Sequence, residues 1–252
     1  VLGYTFGDEG KGVTVQWLCK KAIDEGKKPI VVRFSGGPQA AHTVNYEGKE
    51  HVCSSFGSGV LLGVPTFLLD SVFIDPICLY KEQLVLENLG VKPEVYAGHA
   101  NTLITPFDVV YGRSDSKTRE DGSCGMGVNA AYERVRGLKA IGHNEIYPYN
   151  SRLMEEYWNQ TKQFYKMSDT KLENEEKFKE MFIEGLTKSS LKRVSSFYFL
   201  QDYDELIFEG SQGLLLDMYN GFHPHTTPSR VGLNGVPQMY LKDAEVYMVT
   251  RT

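Results

Sequence analysis

Residues 7–12 read Gly-Asp-Glu-Gly-Lys-Gly, and this short stretch constrains the fold more than any other part of the chain. An apolar run precedes it at residues 1–6, and apolar residues between Val15 and Gly26 follow it at the spacing of one helix face. In the order strand, glycine turn and helix, backbone N–H groups converge on an anion, and Lys11 adds a full positive charge. The stretch therefore predicts a phosphate-binding turn, called here the first turn, in an α/β fold.

The first turn departs from the Walker pattern of nucleotide-binding loops. Two residues instead of four separate Gly7 from Gly10, and Gly12 stands where that pattern has a metal-binding Ser or Thr. A metal oxygen would then come from Asp8 or Glu9. The alternative is an ordinary turn between a strand and a helix with solvated charges, but such turns rarely concentrate so many glycines and charged side chains.

Composition narrows the possible partners and compartments. With 27 Lys and Arg against 32 Asp and Glu, the 252 residues carry a net charge of -5, so we expect neither nucleic acid nor a membrane as a partner. The cysteines Cys19, Cys53, Cys78 and Cys124 are far apart, which argues against a zinc site or a disulfide framework and favours a cytoplasmic protein. The length allows one large α/β domain, with or without insertions.

A second glycine-rich turn follows a second apolar run. Residues 30–34, Ile-Val-Val-Arg-Phe, predict a buried strand, and residues 35–44, Ser-Gly-Gly-Pro-Gln-Ala-Ala-His-Thr-Val, predict the turn at its carboxyl end. Ligands of open α/β sheets bind at this end of the strands. A single histidine is often structural, but the place of His42 in a second strand-following turn favours a functional role.

Together the two turns resemble the adenylosuccinate synthetase family, whose second motif reads Arg-x-x-Gly-Gly-x-Asn-Ala-Gly-His-Thr-Val. Here Gln39 replaces Asn and Ala41 replaces Gly. The resemblance implies that Asp8 and His42 are catalytic, and that Asp8 and the Ala41 carbonyl bind Mg²⁺. It also implies that the nucleoside triphosphate is bound by Gly7, Glu9, Gly10, Lys11, Gly12, Ala41 and Thr43.

Three later segments carry the same resemblance. Residues 122–132 align without a gap with the family's Gly-Thr-Thr-Gly-x-Gly-Ile-Gly-Pro-Ala-Tyr, residues 208–217 match Phe-Glu-Gly-Ala-Gln-Gly-x-x-Leu-Asp, and residues 221–229 resemble Gly-Thr-Tyr-Pro-x-Val-Thr-Ser-Ser. A catalytic thiol at Cys124 is a less favoured alternative to a phosphate contact there. The resemblance implies that the purine monophosphate is bound by Gln39, Ser123, Cys124, Gln212 and Thr227.

The remaining segments predict structure more than chemistry. Residues 112–127 predict a solvated excursion or a lid that orders on a ligand. Residues 151–200 predict a helical insertion within a single domain, 1–252, and we assign no chemistry to it. His223 and His225 are expected to be surface histidines and not a metal pair.

Residues 244–252 predict a strand that stops inside the family's Thr-Thr-Arg-Val-Gly motif. By resemblance Thr250 and Arg251 bind aspartate, and the family's C-terminal guanine-recognition part is expected to be missing.

The expected fold is α/β, with a mostly parallel central sheet flanked by helices and a P-loop-like NTP-binding core with inserted loops.

The resemblance implies a ligase that joins L-aspartate to the 6-position of IMP with GTP hydrolysis. One alternative is the same chemistry on dGMP with ATP or GTP, as in a phage branch of the family, although retention of Asp8 favours IMP. A second alternative is an inactive nucleotide-binding relative. The family is usually a homodimer that lends an arginine across the interface, and Arg134 and Arg136 are candidates.

Overall fold

The computed structural model describes residues 1–115, 120, 122–137 and 151–251. The predicted excursion over 112–127 falls partly outside these residues, as does the end of the predicted C-terminal strand at 252. The helices of the described part are α1 (Lys11–Asp24), α2 (Pro76–Asn88), α3 (Pro106–Ser114), α4 (Val128–Gly137), α5 (Ser151–Lys166), α6 (Glu175–Lys188) and α7 (Ser196–Leu200). The strands are β1 (Leu2–Gly3), β2 (Pro29–Arg33), β3 (His42–Tyr46), β4 (Lys49–Cys53), β5 (Thr66–Leu68), β6 (Val95–Ala97), β7 (Leu191–Arg193), β8 (Glu205–Glu209) and β9 (Met248–Val249).

A parallel sheet forms the centre of the molecule, with the strand order β7-β6-β5-β2-β8. The N–H of Gly210 donates to the Val1 carbonyl at 3.0 Å, which sets β1 beside β8, and β1 pairs in parallel with β9. The described pairing that runs antiparallel is the separate hairpin of β3 and β4. This architecture confirms the predicted α/β class with a mostly parallel sheet.

The predicted central strand and first helix form where the pattern indicated. Every residue of β2 is buried, because β5 and β8 flank it and both faces of the sheet are covered. The helix α1 packs Val15 and Cys19 into a cluster with Val31 and Ile207. It ends at Asp24, and Gly26 just beyond that end has a φ of 74°, which is easily adopted only by glycine.

The predicted helical insertion contains more than helices. The helices α5 and α6 pack Trp158 and Phe182 into the largest apolar cluster. After them the chain forms β7, the edge strand of the sheet, which pairs in parallel with β6. Sequence reasoning missed β7 because Leu-Lys-Arg lacks an apolar alternation, and only its neighbour β6 makes it a strand.

The strands that matter most for function point their carboxyl ends to one edge of the sheet. The chain passes from β1 into the first turn, from β2 into the second turn, and from β8 into residues 210–213, called here the third turn. The end of β9 leads into Thr250 at the same edge. The ladder of β9 is shorter than the predicted strand, since β1 offers it only two residues.

Candidate active site

Two charged side chains of the first turn, Glu9 and Lys11, form hydrogen bonds with residues 5–7. Glu9 Oε1 accepts hydrogen bonds from the N–H and the hydroxyl of Thr5, and Lys11 Nζ donates to the Gly7 carbonyl at 2.6 Å. Burial lowers the pKa of the Lys11 ammonium, and the nearby carboxylates, Glu9 first, oppose that shift. Asp8, in contrast, is exposed, and its carboxylate makes no hydrogen bond or ion pair with any described residue. The turn therefore presents one uncommitted carboxylate to solvent above a buried cation.

His42 lies directly against the start of α1. A Cβ placed on Gly12 would come within 2.7 Å of the Cβ of His42, so a residue with a side chain does not fit there without a shift. This contact explains why residue 12 lacks the hydroxyl of the Walker pattern. It also brings the first and second turns together, as their predicted shared nucleotide requires.

A buried carboxylate orients His42. Glu209, at the end of β8, is 1% exposed, and its Oε1 lies 2.5 Å from His42 Nδ1. Its Oε2 accepts the N–H of Ser58 at 3.0 Å. Burial alone would raise the pKa of Glu209, but the hydrogen bond and charge of His42 outweigh it and lower that pKa to about 2. An ionised partner keeps the proton on Nδ1, which leaves Nε2 as the reactive nitrogen.

The Nε2 atom of His42 is itself unpaired, since it is buried without a hydrogen-bond partner among the described residues. Buried polar atoms are almost always paired, so an unpaired one beside a predicted phosphate turn indicates a ligand. Sequence reasoning missed Glu209, although it lies inside the matched stretch 208–217. The available signal was a carboxylate at the end of a strand whose neighbours are apolar, because a buried charge needs a partner.

The third turn lies between the other two. A Cβ on Gly213 would come within 2.0 Å of the Thr5 carbonyl oxygen, and one on Gly36 within 2.8 Å of the Cβ of Ser211. Close backbone approach therefore packs the third turn against both the first and the second. The three turns, far apart in sequence, form one surface.

A cavity of about 560 Å³ opens beside this junction. It brings together all the residues that the sequence assigned to the purine monophosphate, namely Gln39, Ser123, Cys124, Gln212 and Thr227. The carboxamide oxygens of Gln39 and Gln212 are buried and unpaired among the described residues. These oxygens can accept hydrogen bonds from N–H groups on the edge of a purine.

The start of α4 forms one end of the cavity. Gly125 and Gly127 have φ values of 67° and 79°, and Arg113 Nε donates to the Gly125 carbonyl at 3.1 Å. This bend places Ser123 and Cys124 just before the N-terminus of α4, where backbone N–H groups favour an anion.

The two candidate interface arginines have different surroundings. Arg134 is 1% exposed and bonds Asp108 through Nε at 2.8 Å, so it is committed to the interior. Arg136 is exposed on the cavity wall, and its guanidinium carbon lies 5.3 Å from the ring centroid of Tyr132. Of the two, only Arg136 is placed to meet a ligand or a second subunit.

The other predicted site residues lie around the first turn. Ala41 and Thr43 are exposed on either side of His42. Thr250 and Arg251 are exposed after β9, and the N–H of Tyr4 donates to the Val249 carbonyl at 2.9 Å. The residues predicted to bind aspartate therefore lie beside the first turn.

Two places offer metal-binding atoms. The exposed Asp8 carboxylate and the Ala41 carbonyl are oxygen donors, the type that Mg²⁺ prefers, so the predicted pair fits that ion. The possible ligand atoms of His51, Cys53 and Glu82 also lie within 4.8 Å of one another. This group is a poor metal site because the Glu82 carboxylate is already occupied. Its oxygens already accept the backbone N–H groups and a hydroxyl of residues 54–55.

The predicted surface histidines also lie near the cavity. His223 and His225 are exposed, and His225 contributes to the cavity wall.

In the part of the chain that the structure describes, no helix is both long enough and apolar enough to cross a membrane.

The chain is similar in sequence to known adenylosuccinate synthetases. A sequence model of a family described as adenylosuccinate synthetase matches residues 1–244. Curated proteins named adenylosuccinate synthetase include one from Pseudoalteromonas atlantica, 31% identical over 256 residues, and one from Psychrobacter arcticus, 32% identical over 251 residues. Each alignment covers 94% of this chain and 56% of the relative, so the chain spans about half the length of the curated relatives it matches.

Solved structures share the fold. A fully ligated adenylosuccinate synthetase from Plasmodium falciparum superposes with a TM-score of 0.73 at 20% identity, over 93% of this chain and 56% of that one. A succinoaminodeoxyadenylate synthetase of cyanophage S-2L, bound to dGMP and dATP, gives a TM-score of 0.67 at 17% identity, over 98% of this chain and 63% of that one. At these identities the likeness supports the fold alone.

Proposed function

Because the chain belongs to the adenylosuccinate synthetase family, we propose that it carries the catalytic core of a carbon–nitrogen ligase. The proposed reaction joins the amine of L-aspartate to C6 of IMP and uses GTP as the phosphoryl donor. The observation that carries the proposal is the packing of the three turns against one another beside a cavity that Gln39 and Gln212 line, with His42 Nε2 buried and unpaired among the described residues next to the first turn.

In the proposed first step, the γ-phosphoryl group of GTP is transferred to the 6-oxygen of the purine. Asp8 removes the proton from N1, which gives the oxygen the electron density it needs to attack phosphorus. His42, protonated on both ring nitrogens, donates a hydrogen bond from Nε2 to the charge that develops on the transferring group, and ionised Glu209 balances the charge of the imidazolium. Lys11 exchanges its bond to the Gly7 carbonyl for a phosphate oxygen.

In the second step, the aspartate amine attacks C6 and phosphate leaves. Arg251 and Thr250 hold an aspartate carboxylate, a task that suits the planar guanidinium. Asp8 and the Ala41 carbonyl would hold Mg²⁺, which when bound would neutralise charge on the phosphate oxygens. We expect a cytoplasmic homodimer in which Arg136 reaches the partner's nucleotide.

The purine monophosphate occupies the cavity in this proposal. Its 5′-phosphate lies at the start of α4, near the hydroxyls of Ser123 and Thr227. Gln212 and Gln39 contact the purine edge through their unpaired carboxamide oxygens. Cys124, a weaker donor than threonine, adds less to the phosphate contact.

A second candidate substrate is dGMP, with ATP or GTP as the donor. Gln39 and Cys124 differ from the family pattern and lie on the cavity wall together with Met126, at a position that the pattern leaves open, which is consistent with a different purine. Retained Asp8 favours IMP. A third candidate, an inactive relative that only binds nucleotide, draws on the same departures together with Ala41.

Parallel incubations of the protein with aspartate test these alternatives. IMP and dGMP are each combined with GTP and with ATP, and phosphate release and the succino-product are measured. We expect product with IMP and GTP, and loss of turnover but not of nucleotide binding in Asp8→Asn. Product with dGMP alone would reverse the order of the two substrates, and binding without product in every mixture would support the inactive relative.

A further inference from the structure

One wall of the cavity is a long surface loop, residues 217–231, called here the wall loop. It supplies Met218, His225 and Thr227 to the cavity. Most of its middle is exposed, and Phe222 is 65% exposed. Few apolar contacts therefore hold the wall loop, and polar contacts at its two ends must determine its position.

A single buried carboxylate joins those two ends. Asp217 is 2% exposed, and its Oδ1 accepts the N–H groups of Tyr219 and Asn220, each at 3.0 Å. Its Oδ2 accepts the N–H of Val231 at 2.9 Å. Burial would raise the pKa of Asp217, but these N–H groups outweigh burial and lower it. The carboxylate is therefore ionised at neutral pH and both of its oxygens are in use.

This closure connects directly to the cavity. The N–H of Met218 donates to the Ser229 carbonyl at 3.0 Å, and the N–H of Thr227 donates to the Leu216 carbonyl at 2.9 Å. Ser229 Oγ in turn accepts the N–H of Gly36, in the second turn, at 3.2 Å. The distance across the cavity between Thr227 and the second turn thus depends on the closed ends of the wall loop.

We propose that Asp217 is a positioning residue for the purine monophosphate site, because it closes the wall loop that presents Thr227. Asp217 lies outside the cavity lining and acts through the loop backbone. This inference rests on the proposed function, and it names what sets the geometry of that same site.

The substitution Asp217→Asn tests it with little change of volume. An amide has one oxygen, so Asn can keep the bonds to Tyr219 and Asn220 but then turns its NH₂ towards the N–H of Val231. We expect the Kd and KM for the purine monophosphate to rise about tenfold, as loss of a charge-assisted hydrogen bond predicts. The KM for the triphosphate should change less than about twofold.

Asp75→Asn is the matched control. Asp75 is also buried and accepts two backbone N–H groups, those of Ile77 and Cys78 at 2.9 and 3.1 Å, but at the start of α2 and away from the cavity wall. We expect it to leave both KM values unchanged. Thermal unfolding of both variants reports how much each substitution destabilises the fold.

Calorimetric titration of the wild-type protein with IMP and with dGMP separates the possible failures. If the wild type binds neither nucleotide, the proposed function is wrong and the role of Asp217 falls with it. If the wild type binds one of them and Asp217→Asn binds it equally well, only the role of Asp217 is wrong. An equal rise in KM for purine nucleotide and triphosphate would also overturn it, since that is the effect of general destabilisation.

Discussion

The hairpin of β3 and β4 carries two buried histidine–glutamate pairs that look alike. His42 on β3 lies 2.5 Å from Glu209, and His51 on β4 lies 3.2 Å from Glu82. All the partners are at most 9% exposed. In both pairs the imidazole meets a carboxylate from a distant element of the chain.

The pairs differ in what their other polar atoms do. Both carboxylates also accept backbone N–H groups, Glu82 those of Ser54 and Ser55 and Glu209 that of Ser58, so the carboxylates themselves do not separate the pairs. The first pair leaves His42 Nε2 buried beside Gly12 and without a hydrogen-bond partner in the part of the chain that the structure describes. The comparison teaches that residue type alone does not separate the two pairs, whereas an unused hydrogen-bonding atom does, and that atom is what supports the catalytic role proposed for His42.

Replacing each histidine in turn should give the largest difference in kcat between the two pairs. His42→Asn should lower kcat by about 10²–10⁴-fold, because the group that donates to the transferring phosphoryl is lost. His51→Asn should lower kcat by no more than about threefold and act mainly on stability. Steady-state phosphate release and thermal unfolding measure the two effects. Comparable losses of kcat in both variants would mean that the pairs share one role.

The second-largest loss of kcat is expected from crowding the pair of His42 and Glu209. Gly12→Ala places a Cβ against His42, and a displacement of about 1 Å in a catalytic group can cost about 10²-fold in kcat. Gly112→Ala is the control, since a Cβ there lies 4.0 Å from its nearest neighbours and should leave kcat unchanged. A fully active Gly12→Ala protein would show that His42 does not need its observed position.

Neutralising the carboxylates should distinguish orientation from stability. Glu209→Gln should lower kcat by roughly 10–100-fold, because a neutral amide no longer holds the proton on His42 Nδ1. Glu82→Gln should instead lower the free energy of unfolding by about 1–3 kcal/mol, with kcat retained. Denaturant unfolding and turnover are measured on both proteins. Retained turnover in Glu209→Gln would leave that carboxylate with a structural role only.

In both pairs the carboxylate should make the free energy of unfolding fall as the pH becomes acidic. The pKa of Glu209 is lowered from 4.5 to about 2, and hydrogen bonds from His51 and Ser54, opposed by burial, lower the pKa of Glu82. A lowered pKa stabilises the fold above the unfolded value and loses that effect as the pH falls through the folded value. For Glu209 the free energy of unfolding should therefore fall between about pH 5 and 2, by up to about 3 kcal/mol.

Acid titrations followed by circular dichroism measure this dependence. Glu209→Gln and Glu82→Gln should each show a shallower fall in stability than the wild type. An unchanged slope in Glu209→Gln would mean that this carboxyl is not ionised in the folded protein.

Much of the fold could be predicted because its signals are local. The helix α1, Lys11–Asp24, follows from apolar spacing and from the glycine just beyond its end, and β2 follows from a continuous apolar run. In contrast, β7 could not be predicted from its three residues, because its hydrogen bonds come from β6. The family resemblance likewise left Arg134 and Arg136 as equal candidates for an interface arginine, and only the burial of Arg134 against Asp108 separated them.

The sequence by itself determined the glycine-rich first turn, the parallel α/β layout and the types of side chain that the site contains, because glycine conformation and apolar patterning act over a few residues. Only the tertiary structure decided which side chains meet. His42 and Glu209 are 167 residues apart, and their contact exists because β8 and the hairpin both pack against α1. A hydrogen bond at that separation depends on strand register and packing, which no local stretch of sequence specifies.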